Sequence, residues 1–186
     1  MSKKHFLALP VTGDTFAEVR EKNRYYVDKT PYLKAVFSED EAVDDKSLID
    51  GTTVLLLTRP RRFGKTLLMN MFESFLNINY EKPGDTTIHQ SYFKDTKIFE
   101  EQKFCKKYMG QFPVISITLK DVLGDDFESA YLKLAEVVSA KANEFSFLKE
   151  SPYLNEMEKA KFNLLCDEIY LKKADKQAIS YVTSAI

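Results

Sequence analysis

The residues of this chain best suited to chemistry lie between Arg59 and Thr66, in the run Arg59-Pro60-Arg61-Arg62-Phe63-Gly64-Lys65-Thr66. A phosphate group is an anion that needs several donors at once, and a loop that opens a helix supplies them. In that reading Gly64 lets the backbone approach closely and Lys65 reaches the outer phosphates. The Thr66 hydroxyl ligates magnesium. The full phosphate-loop (Walker A) pattern wants glycine five residues before Gly64, where this chain has Arg59.

The elements needed to hold such a loop are legible on both sides. Thr52 to Leu57 is an apolar run rich in β-formers, suited to a strand buried on both faces. After the loop, Leu68, Met71, Phe72 and Phe75 recur at helical spacing. A second run, Phe112 to Leu119, reads as another strand, with Val114 to Leu119 parallel to the first. Elsewhere Thr15 or Asp14 caps a helix bearing Phe16 and Val19, and Tyr25 to Val27 is extended. Thr30 caps a helix that opens on Pro31. Ser38 to Lys46 is an acidic, solvated loop, and Pro83-Gly84-Asp85 is a turn. Long helices are expected over Asp126 to Asn143 and through Leu154, Met157, Phe162, Leu165 and Ile169, with a last one beginning near Ala174.

Composition sets the outer limits. The 186 residues suffice for one globular core, and a hydrophobic fraction of 44% is ordinary for a folded domain. With 27 basic and 28 acidic residues the net charge is -1, so any anion binding must come from a local cluster. No membrane or general nucleic-acid role follows from it. Cys105 and Cys166 lie far apart and in no metal spacing, as expected of free thiols in a reducing compartment. No signal peptide or apolar span is visible, which points to the cytoplasm.

Thr58 to Leu67 resembles the phosphate loop of the bacterial AAA-ATPase-like family, in which an ATPase domain often precedes a PD-(D/E)XK nuclease-like domain. Phe16 to Arg20 followed by Tyr25-Tyr26-Val27-Asp28-Lys29-Thr30 is similar to its amino-terminal signature. Tyr92 to Ile98 and Phe112 to Ile115 are similar to later segments, so the resemblance spans essentially the whole chain. It implies an α/β fold of P-loop NTPase type, with parallel strands and flanking helices, incomplete here. Residues 1–50 would hold lead-in helices. Residues 51–80 would form strand, loop and helix, and residues 81–186 the second strand and helices. It further implies ATP as ligand and magnesium as cofactor. Arg61, Arg62, Phe63, Gly64, Lys65, Thr66 and Leu67 would bind the nucleotide, with Thr66 on the metal.

Hydrolysis also needs a carboxylate at the end of a second buried strand. The nearest lookalike, Phe162 to Glu168, has helical spacing, so Asp167 and Glu168 are candidates that lie on a helix pattern rather than at a strand end. In the family the acidic strand follows the helix near Ala174, so the chain reads as an amino-terminal portion that binds ATP and hydrolyses it slowly or not at all. Asp28 and Lys29 either contact base or ribose or shape a turn. Arg61 and Arg62 touch phosphates or pair with acidic side chains. His5 and His89 are isolated. Two readings compete with ATP binding. One is a non-catalytic interaction module or truncated ATPase fragment. The other is a nucleic-acid contact resting on Arg59, Arg61, Arg62 and Lys65 alone.

Overall fold

The structure is a computed structural model, and it describes residues 7–11, 13–37 and 56–173. Among the described residues the chain forms nine α-helices and one 3-10 helix. The only ladder contact among them is an isolated parallel bridge between Asn77 and Phe112. The expected α/β sheet is therefore corrected: the described residues are helical and form no strand. Val114 to Leu119 is rich in β-formers, but strand formation needs a partner ladder as well as propensity. No such ladder forms among the described residues, and Ile115, Ile117 and Leu119 are exposed. Of the first expected strand, Thr52 to Leu55 lie outside the described residues, and Leu56 is 81% exposed rather than buried.

Contacts divide the chain into two units, Met1–Val114 and Ile115–Ile186. In the first unit, α1 (Phe16–Glu21) is fixed by a capping box. The Thr15 hydroxyl accepts from the Glu18 amide, and the Glu18 carboxylate accepts from the Thr15 amide at 2.9 Å. The helix ends where Lys22 and Asn23 turn, Asn23 at positive φ. Pro31 opens α2 (Pro31–Val36). Thr30 precedes it, but its side chain does not cap it. The hydroxyl donates to Asp28 at 2.7 Å and accepts from the Ile98 amide at 3.2 Å.

Next come α3 (Lys65–Leu76), α4 (Thr87–Phe93), α5 (Lys97–Glu100) and α6 (Gln102–Tyr108). Their apolar faces meet in one core of Phe16, Leu33, Leu68, Met71, Phe75, Phe93, Ile98, Phe104 and Tyr108. The rings pack edge-on, tilted or offset-stacked, as aromatic quadrupoles prefer, with Phe75 edge-on to Phe93 at 5.2 Å and stacked on Phe104 at 5.8 Å. The chain leaving α3 and the chain leaving α6 are clipped side by side. The Ile78 amide donates to the Phe112 carbonyl and the Phe112 amide to the Leu76 carbonyl. The buried His89 ring sits on this clip, with Nε2 2.7 Å from the Asn77 carbonyl. The ring supports the clip through Nε2, while its buried Nδ1 has no hydrogen-bond partner among the described residues.

The second unit packs α7 (Phe127–Glu144) against α8 (Glu156–Cys166) and α9 (Glu168–Lys173), around Tyr131, Ala135, Leu165 and Leu171. Asp126 caps α7, its carboxylate accepting from the Ser129 amide. The single helix expected through Leu154 to Ile169 is two. Asp167 breaks it, leaving the helical region at ψ 97°. The Cys166 carbonyl, freed at that break, accepts from the Ser139 hydroxyl and from the Asn143 side-chain Nδ2, each at 2.9 Å. The expected helix beyond Ala174 lies outside the described residues, as do the acidic loop after Phe37 and His5.

Candidate functional site

The basic loop leads into α3, which begins at Lys65 as its sequence context requires. Gly64 precedes that helix at φ 70°, in the left-handed region where a side chain is strained. Arg62 also has positive φ, at 68°. The chain therefore turns sharply twice within three residues before entering the helix. Leu68, Met71 and Phe75 are buried on the inner face of α3 and hold its first turn against the core.

Lysines organise the loop from inside. The Lys65 ammonium folds back and donates to the carbonyls of Arg59 and Pro60, at 2.5 and 3.2 Å. The Lys29 ammonium donates to the Phe63 carbonyl at 3.1 Å. Three carbonyl oxygens of the loop are thus taken by two cations. Arg59 donates outward to the Tyr32 hydroxyl at 3.3 Å. Arg61 and Arg62 are exposed, and neither forms an ion pair among the described residues. Phe63 stands between that pair and Gly64 with 62% of its surface exposed. Thr66 is exposed on the first turn of α3, and Leu67 is half-buried against the core.

The structure thus gathers Arg59, Lys65, Phe63 and Lys29 around one loop. Lys29 enters as a loop partner, a role that local spacing does not signal, because 34 residues separate it from Phe63. Asp28 faces away, toward α5: its carboxylate accepts from the Thr30 amide, the Thr30 hydroxyl and the Lys97 amide. Asp167 and Glu168 end and begin helices, so neither sits at a strand end. The second unit has an open polar hollow lined by Lys149, Glu150, Glu156, Lys159, Ala160 and Asn163, none of them an expected site residue.

These positions correct the ligand expectations. A P-loop holds nucleotide because a buried parallel strand delivers the chain to the loop from a rigid sheet. Among the described residues no such strand scaffold exists. The expected ATP binding, the magnesium site at Thr66 and the nucleotide partner fall with that scaffold. No group of three or more His, Cys, Asp or Glu residues gathers into a metal site among the described residues. No helix among them is long and apolar enough to cross a membrane.

Comparison with known proteins finds no match among curated proteins or solved structures. One family model, described as "AAA-ATPase_like: Predicted AAA-ATPase", matches residues 10–181. The fold and ligands implied by the resemblance are not what the described residues form, and the match carries neither of them over. By the extent of that match, the chain belongs to the AAA-ATPase-like family.

Proposed function

We propose that this chain is a non-catalytic interaction module whose basic loop, Arg59 to Leu67, docks an acidic segment of a protein partner. The observation that carries the reading is Phe63, 62% exposed and directly preceded by Arg61 and Arg62, which form no ion pairs among the described residues. Aromatic and arginine side chains are the residues that concentrate binding energy at protein interfaces. Leu56 and Met69, on either side of the loop in sequence, are exposed as well. The chain is almost neutral overall, so the loop is a local positive patch.

Each site residue has a part in this reading. Arg61 and Arg62 meet the partner's carboxylates, and Phe63 supplies the apolar anchor. Gly64 and Lys65 shape the loop. Thr66 offers a hydroxyl at the first turn of α3, where the helix dipole favours negative charge. Leu67 ties the loop to the core. The free thiols of Cys105 and Cys166 support placement in a reducing cytoplasm.

The test is fluorescence anisotropy with a labelled Asp/Glu-rich peptide carrying one central leucine. Binding should weaken roughly tenfold or more in Arg61→Glu/Arg62→Glu and in Phe63→Ala. It should weaken with salt, as exposed charges are screened. Equal binding by the wild type and the charge-reversed variant sinks the proposal. So does strong binding of a single-stranded oligonucleotide with none of the peptide.

A further inference from the structure

The Asp28-Lys29-Thr30 turn is a fixed pedestal beside the loop. The Asp28 carboxylate accepts from the Lys97 amide at 2.8 Å and from the Thr30 amide at 2.9 Å. The Thr30 hydroxyl, in a fully buried residue, accepts from the Ile98 amide. The Lys29 amide itself donates to the Tyr26 hydroxyl at 3.1 Å. The backbone of Lys29 is thereby tied on both sides to the aromatic core and to α5. Its side chain alone leaves the pedestal, and it ends on the Phe63 carbonyl.

Phe63 precedes Gly64, whose left-handed backbone would let the loop settle in more than one way, since glycine is the least restrained residue. A Cβ added at Gly64 would lie 2.9 Å from the Lys29 ammonium, so the ammonium is packed against the backbone at this turn. An ammonium on a four-carbon stem can reach across such a gap and choose among carbonyls. Here the contact holds the peptide unit that joins Phe63 to Gly64, and with it the backbone that carries the Phe63 ring.

We infer that Lys29 is a positioning residue for docking: it sets the presentation of Phe63 to the acidic partner by holding the Phe63 carbonyl. This rests on the interaction reading given above. Lys29 acts through Phe63 and through its own place on the pedestal, beyond the charge it adds to the patch.

Two measurements on the full chain test it. The first introduces 4-fluorophenylalanine at Phe63 and records the fluorine spectrum without any partner. Lys29→Met should shift and broaden the resonance, and Lys29→Arg should largely restore it. Lys34→Met, which removes only the exposed pair with Glu101, should leave it unchanged. Thermal unfolding of each variant confirms that the fold persists. The second uses the acidic peptide. Lys29→Met should weaken binding roughly fivefold, the scale of one lost hydrogen bond, and should cost nothing further in a Phe63→Ala background. An undisturbed fluorine resonance in Lys29→Met overturns the inference. So does a loss of binding that persists in full beside Phe63→Ala, because that is the signature of bulk charge. If the wild type fails to bind the peptide at all, the docking proposal fails, and the fluorine measurement still decides whether Lys29 positions Phe63.

Discussion

The Asp28 carboxylate accepts a hydrogen bond from the Lys97 amide at 2.8 Å, across 69 residues of chain. The same side chain also receives the Thr30 amide and hydroxyl, so one carboxylate joins the turn before α2 to the start of α5. Burial pushes the Asp28 carboxyl up. The bonds from Lys97 and Thr30 together outweigh that, and hold it below its ordinary value.

Asp28→Ala should therefore cost about 1–3 kcal/mol, because it leaves the Lys97 amide and the Thr30 hydroxyl without their acceptor. Chemical denaturation measures it. The sign with pH follows from the lowered value. The contribution of Asp28 is present above the ordinary carboxylate range and is lost as pH falls through the lower folded value. An Asp28→Ala variant as stable as the wild type at neutral pH would show that the pedestal is held by other contacts.

The capping box of α1 should titrate at unusually low pH. The Thr15 amide and hydroxyl and the Lys22 ammonium hold the Glu18 carboxyl down to about 2. The cap is then intact above the ordinary glutamate range and is lost as pH falls toward 2. The Thr15 amide shift, followed by NMR, should move in that window. The transition should disappear in Glu18→Gln; a midpoint near the ordinary glutamate value would mean the box is open in solution.

Phe75→Ala should be the most damaging of the single core truncations in the first unit. Its ring is fully buried, 5.2 Å from Phe93 and 5.8 Å from Phe104. Removal leaves a cavity where three aromatic helices meet, at about 3–5 kcal/mol. Tyr153, 93% exposed, is the matching control, and Tyr153→Ala should change stability by no more than about 0.5 kcal/mol. Similar unfolding midpoints for the two variants would contradict the assigned core.

The two thiols should react in a fixed order. Burial, with Glu101 nearby, pushes the Cys105 thiol up to about 11, and its Sγ donates to the Ile98 carbonyl at 3.2 Å. Near neutral pH it is a protonated, covered thiol, unreactive until the helices around it open. Cys166 is half-buried and should react first with an aromatic disulfide reagent. Equal rates under native conditions would place Cys105 at the surface.

The sequence by itself determined what depends on neighbours within one helical turn. Thr15 with Glu18, Asp126 with Ser129, and Gly64 before Lys65 fix where α1, α7 and α3 begin, because caps and dihedral preferences act over three or four residues. The helical rather than extended reading of Phe162 to Glu168 came from the same local periodicity. Tertiary structure decided the rest. Val114 to Leu119 has strand propensity, yet a strand exists only when another chain segment answers its amides and carbonyls, and the described residues supply none. Thr30 carried the signature of a cap and became an acceptor for Ile98, since a buried hydroxyl takes whichever amide the packing brings to it. The link from Lys29 to the Phe63 carbonyl joins residues 34 apart. Such contacts are set by how α1, α2, α3 and α5 close around shared aromatic rings, and no local pattern encodes that closure.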